Sequence, residues 1–318
     1  MAQFIFLIYL NRSGSTYLAG LLDRYDDIGV TPEARIPDGI VESSCNISDY
    51  GALNNFLSRL YNNHKFKSWE IDREKLKNKI LNHGDFPFKF KDVFSIILDE
   101  YFRDSKASVY IYKSPYLFYI SRIRERFPEA RFLFIIRDPR AIYSSQKKTF
   151  DTDNRVPMAS DPIKSLIQFK LAYQIFRKYE HQEWFYSLRY EDLILNPDKE
   201  VQKVLSFFDV KSALSDDCND VYSMKLSEKQ KLIHQNVQSG PITDRINAWL
   251  QELDKSEISV IQNYAGREIE ALGYELMDLG EITFKDRIQI FLLHLKFLTS
   301  IRGKFNLLKA GGQTLISD

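Results

Sequence analysis

The stretch FIFLIYLNRSGSTYLAGLLDRY, residues 4–25, decides how the rest of the chain is read. Seven apolar or aromatic residues, Phe4 to Leu10, have the length and composition of a strand buried on both faces. From Ser15 to Tyr25 the period changes, and Leu18, Leu21, Leu22 and Tyr25 fall on one helix face. Between the two lie Asn11, Arg12, Ser13, Gly14, Ser15 and Thr16, with Tyr17 carrying the segment into the helix. A strand that delivers a glycine-containing loop to a helix makes a cradle for phosphate-like anions. The first helical N–H groups lack intrahelical acceptors, and the helix dipole puts partial positive charge there. Gly14 lets backbone approach an anion, Ser13, Ser15 and Thr16 offer hydroxyl donors, and Arg12 adds a fixed charge. The alternative is that Ser13 or Ser15 merely caps the helix. No lysine follows Gly14 and no second glycine precedes it, so the G-x-x-x-x-G-K-[ST] loop of nucleotide kinases and P-loop NTPases is absent.

With 318 residues, 44% hydrophobic and 27% charged, the chain buries a sizeable core and is not disordered. A formal net charge of +1 gives no global attraction to nucleic acid, so an anion site must come from local clustering. Cys45 and Cys218 have neither metal-ligand spacing nor a disulfide framework, which fits a reducing compartment. The apolar run at residues 4–10 is far short of the roughly 20 residues of a membrane span and lacks the flanks of a signal peptide. The expectation is a cytoplasmic protein without a transmembrane segment.

Working outward, the strand-then-helix alternation recurs in SVYIYKSP followed by YLFYISRIRERFP, in ARFLFIIRDPRAIYSSQ and in EWFYSLRYEDLILNP. Such alternation predicts an α/β fold, a P-loop-type parallel sheet flanked by helices. Residues 40–105 read as a helical insertion within one domain spanning 1–280, and residues 281–318 as an amphipathic helical tail. The second loop repeats the device of the first. Arg137 stands at a strand's carboxyl end, Asp138-Pro139 turns the chain, and Ser144 and Ser145 follow; ligands of open α/β sheets bind at such ends. The alternative is a structural ion pair of Arg137 with Asp138 or Glu191.

With NRSGSTYL, FPEARFLFIIRDPRAIYSS, LRYEDLILNP and HQNVQSGPITDRINAWLQEL in this order, the chain resembles the sulfotransferases that use 3′-phosphoadenosine 5′-phosphosulfate (PAPS). The resemblance covers roughly residues 3–276 and implies several roles. Arg12, Ser13, Gly14, Ser15, Thr16 and Tyr17 would hold the 5′-phosphosulfate, Arg137 and Ser145 the 3′-phosphate, and Tyr190 would lie near the adenine. Ser239 and Gly240 would belong to a closing loop, and adenosine 3′,5′-bisphosphate (PAP) would be the product.

Sulfonate transfer to an alcohol needs positioning, neutralisation of charge on the leaving oxygen, and removal of the acceptor's proton. No carboxylate cluster resembles a magnesium site, so no metal is expected. Where the small-molecule enzymes of the family carry a histidine base, YKSPY has Pro115. PEARIP instead resembles the glutamate-base segment of tyrosylprotein sulfotransferases, which implies Glu33 as the base, against the alternative of a salt bridge to Arg35. Lys113 matches the lysine that touches the leaving phosphate oxygen, and Arg12 adds charge there. His234 and Asn236 have no assigned role; His64, His83, His181 and His294 read as surface. A non-catalytic nucleotide-binding module would not need to keep Glu33 and Lys113.

The acceptor is expected to be a hydroxyl of a glycan or glycolipid, with a tyrosine peptide as the alternative. The lysines and arginine from Lys65 to Lys79 are offset by Glu70, Asp72 and Glu74 and read as a solvated helix face. In the tail, Phe284, Ile288, Phe291, Leu292, Leu295 and Leu298 share one face. That face is expected to dock on its own domain, with peripheral membrane contact as the minor alternative.

Overall fold

The computed structural model describes residues 3–34, 36, 46–113, 117–150, 156–211, 213–214, 222, 225–226, 243–280 and 283–311. Arg35, Cys45, Pro115, Cys218, His234, Asn236, Ser239 and Gly240 lie outside them. The chain forms two compact units: Met1–Ile136 with Lys178–Ile242, and Arg137–Arg177 with Thr243–Asp318.

The first unit holds the sheet. Its strands are β1 (Gln3–Tyr9), β2 (Ile28–Val30), β5 (Val109–Lys113), β6 (Arg131–Ile136) and β7 (Phe185–Arg189), with a short antiparallel pair β3 (Asn46–Ile47) and β4 (Phe88–Lys89) apart from it. The main sheet has the order β2-β5-β1-β6-β7, parallel throughout. β1 is central and buried, as its unbroken apolar run requires; Leu7 pairs with Lys113 on one side and Leu133 on the other. On one sheet face Phe6 packs on Phe132, Phe94 and Phe127, with ring centroids 5.5, 6.0 and 5.8 Å away.

Helices of this unit are α1 (Ser15–Leu22), α2 (Tyr50–Asn62), α3 (His64–Lys67), α4 (Arg73–Leu81), α5 (Phe90–Tyr101) and α6 (Ile120–Arg126). The second unit opens with α7 (Pro139–Lys148), and α8 (Pro162–Tyr179) returns the chain to the first, where α9 (Tyr190–Leu195) and α10 (Pro197–Phe207) follow β7. Helices α2 to α5 lie between Tyr50 and Tyr101. α1 stops three residues before the expected Tyr25, because the Asp23 carboxylate turns to accept from the Val30 N–H at 2.9 Å and from Lys225. The second unit ends in α11 (Trp249–Glu252), α12 (Lys255–Ala271) and α13 (Phe284–Gly311). No helix among the described residues is long and apolar enough to cross a membrane.

Candidate active site

Sheet order explains why three distant segments meet. β2, β5 and β1 are neighbours and parallel, so their carboxyl ends carry Glu33, Lys113 and the Arg12–Thr16 loop to one edge of the first unit. Lys113, expected at a strand end, is buried rather than exposed, with 2% of its surface accessible. Its Nζ donates to Thr16 Oγ1 at 2.7 Å, and its N–H donates to Thr31 Oγ1 at 3.2 Å. The ammonium lies 5.6 Å from the Tyr9 ring centroid and 5.8 Å from that of Tyr222. Burial pushes the Lys113 pKa down, Glu33 pulls it back, and Lys65 and Arg12 repel its charge, leaving it at about 8.

Glu33 is held at both oxygens. The Tyr9 hydroxyl donates to Oε2 at 2.6 Å, and Lys65 Nζ, from α3, forms a hydrogen-bonded ion pair with Oε1. Burial alone would raise this carboxyl, but the attraction of Lys65 and Lys113 and the two hydrogen bonds outweigh it and bring the pKa to about 2. Burial and the Glu33 charge both push the Tyr9 hydroxyl well above its ordinary range, so it stays a donor. Glu33 is therefore ionised at neutral pH, with Lys65 as its partner.

Lys65, Tyr9 and Tyr222 are absent from the sequence-based site. Tyr9 carried a faint signal, as the last residue of β1 before the loop. Lys65 carried the wrong one. The basic run is no uniformly solvated face: Lys65 reaches Glu33, while Lys75 and Lys79 pair with the buried Glu100, Lys75 at 2.9 Å.

The first loop is built for an unusual task. Arg12 and Gly14 both have left-handed backbone, φ 74° and 92°, and the N-cap Gly14 makes no side-chain cap bond. The capping alternative for Ser13 and Ser15 is thus not realised. Ser13 Oγ is buried without a hydrogen-bond partner among the described residues, which is costly unless an outside group supplies one. Ser15 and Thr16 are buried as well, and Tyr17 is half-buried. Gly14 has a second duty, not foreseen from sequence. A Cβ there would lie 2.2 Å from Tyr190 Cδ2, so glycine lets the Tyr190 ring rest on the loop. The left-handed backbone and the buried Ser13 hydroxyl fit a bound anionic group.

In the second unit, the Asp138 carboxylate pairs with Arg140. Asp138 caps α7 by accepting from the Arg140 N–H at 2.8 Å, and its carboxylate takes the buried Arg140 guanidinium at 3.0 and 2.7 Å. Arg140 also lies 4.0 Å from the Trp249 ring centroid and donates to the Glu275 carbonyl at 2.8 Å, so its role is structural. Arg137 donates to the Arg245 carbonyl at 3.2 Å. Ser144 bonds Glu252, and Ser145 is buried beside it. No group of three or more His, Cys, Asp and Glu side chains suited to a metal is found among the described residues.

A parallel α/β sheet with a buried lysine, a carboxylate and a glycine loop at one edge is compatible with group transfer from an anionic donor. The chain belongs to the Sulfotransferase family, whose profile matches residues 4–214. It is a sulfotransferase, an enzyme of sulfonyl transfer. Among solved structures it is similar in fold to the sulfotransferase domain from the curacin biosynthetic pathway, with 15% identity and a TM-score of 0.56 over 87% of this chain and 99% of that one. It is also similar to the sulfotransferase domain of the Synechococcus PCC 7002 olefin synthase, with 16% identity and a TM-score of 0.59 over 87% and 96%. No curated protein sequence matches the chain.

Proposed function

We propose that the protein transfers a sulfonate group from PAPS to an acceptor hydroxyl, with Glu33 as general base and Lys113 and Arg12 neutralising the leaving oxygen. The observation that carries this reading is the buried Lys113, bonded to Thr16 of the loop and electrostatically coupled to Glu33. The donor, when bound, supplies a sulfonate on a phosphate leaving group. Glu33 takes the proton of the acceptor hydroxyl as its oxygen bonds to sulfur and the sulfur–phosphate oxygen bond breaks. Lys113 and Arg12 meet the negative charge left on the phosphate. The Arg12–Tyr17 loop holds the 5′ end through backbone N–H groups and Ser13, Ser15 and Thr16 hydroxyls. Arg137 and Ser145 take the 3′-phosphate, and Tyr190 lies near the adenine.

The PEARIP glutamate segment leans towards acceptors larger than small phenols, glycans or peptidyl tyrosine, and of these we favour a carbohydrate or glycoconjugate. A tyrosine peptide is the second reading, and one observation favours it. A carboxylate with a pKa of about 2 is a weak base, better matched to a phenol of pKa about 10 than to a sugar hydroxyl. Transfer of labelled sulfonate from PAPS to a panel of sugars, glycolipids and tyrosine peptides separates the two. The donor assignment is tested without an acceptor: PAP should raise the melting temperature in the presence of a chelator, and ATP should do so much less. Stabilisation by ATP with magnesium, and none by PAP, would overturn it.

A further inference from the structure

α13 carries apolar residues on two sides. Its inner side packs on α12 through the half-buried Ile290, Leu293 and His294, with the His294 Nδ1 3.2 Å from the Tyr264 hydroxyl. Gln289 adds a hydrogen bond from Ser256 at 3.0 Å. The face expected to dock, Phe284, Ile288, Phe291, Leu292 and Leu295, is turned away from the domain instead. Phe284 is 79% exposed and Phe291 67%. These five residues lie within one stripe at the helical repeat. On the same repeat, Lys285 and Lys296 border one edge of the stripe and Arg287 the other, all three exposed. The one acidic residue of this helix, Asp286, is held by Thr283 at the helix start, with the hydroxyl 2.7 Å away.

We propose that this face of α13 docks the protein on an anionic lipid surface, lying in the interface with its apolar stripe among the acyl chains. A row of phenylalanine and leucine costs solvation while it faces water, and cations on both borders match lipid phosphates. A second copy of the chain suits the face poorly, because pairing two such helices would bring Lys285 and Arg287 against their own kind, while Lys296 faces Asp161 of its own chain at 3.8 Å. The proposal is independent of donor and acceptor chemistry.

The full chain should co-sediment with phosphatidylcholine vesicles containing phosphatidylglycerol, and at least about tenfold more weakly with phosphatidylcholine alone. High salt should weaken the association. The double variant Phe291→Ser/Leu295→Ser, at exposed sites, should melt like the parent yet lose vesicle binding, and Lys285→Glu/Arg287→Glu should lose most of it. Absence of binding to the anionic vesicles, or equal binding by the serine variant, would overturn the proposal. So would a stable dimer in solution that the serine variant splits.

Discussion

Two strand-to-helix turns look alike in sequence and differ in physics. Both follow a buried parallel strand, both carry an arginine, and both lead into a helix rich in small hydroxyl residues. The turn after β6 is satisfied at its cap: Asp138 caps α7, Pro139 opens it, and Arg140 neutralises the cap. The turn after β1 is left open. Its cap is a left-handed glycine, its preceding arginine is left-handed too, and Ser13 is buried without a partner among the described residues. Backbone of that kind persists where surrounding structure enforces it, and it clusters at functional sites. A self-satisfied turn presents a side chain; an open turn presents its backbone.

The largest expected effect lies at the open turn's neighbour. Glu33→Gln should fold, still bind PAP, and lose roughly 100- to 10,000-fold in turnover at saturating donor. Turnover within a few-fold of the parent would remove Glu33 as the base. At the closed turn the loss should fall on stability instead. Arg140→Ala leaves the buried Asp138 carboxylate without its ion-pair partner and should cost about 3–5 kcal/mol in denaturant unfolding. A loss confined to activity would make Arg140 part of the site.

Much of this contrast was legible in sequence, and the illegible part has a common cause. Apolar runs, Asp-Pro and the small-residue loop are local signals, and they located β1, β6, α7 and the order of the motifs. Partner choice is not local. Arg140 takes Asp138, because the two share the α7 turn and the Nε and Nη2 fork spans the carboxylate. Lys65 reaches Glu33 across 32 positions of chain, through an insertion whose basic composition read as solvated surface. The orientation of the tail helix was not legible, since periodicity finds a face but not the side on which it packs.

Next in size, Lys113→Met should lower turnover about 100- to 1,000-fold while donor affinity changes much less. Collapse of donor binding with turnover kept at saturation would contradict it. The parent enzyme's pH profile carries the same claim. Lys113 has a pKa near 8 and must be charged to act, so kcat/KM should fall as pH rises through about 8. Glu33, ionised above about 2, should add no acid limb in the neutral range. Smaller still is Gly14→Ala, which forces a left-handed alanine against Tyr190 and should cost about 1–3 kcal/mol of stability together with donor affinity. An unchanged melting temperature and donor affinity would show that the loop and Tyr190 yield freely.

The division of labour between the turns is tested most directly by calorimetric titration of the Arg137→Ala variant with PAP and with adenosine 5′-monophosphate. If the open turn reads the 5′ end and Arg137 reads the 3′-phosphate, PAP should bind roughly 10- to 150-fold more weakly than to the parent. The monophosphate should bind as before. Equal weakening of both ligands, or of neither, would contradict the account.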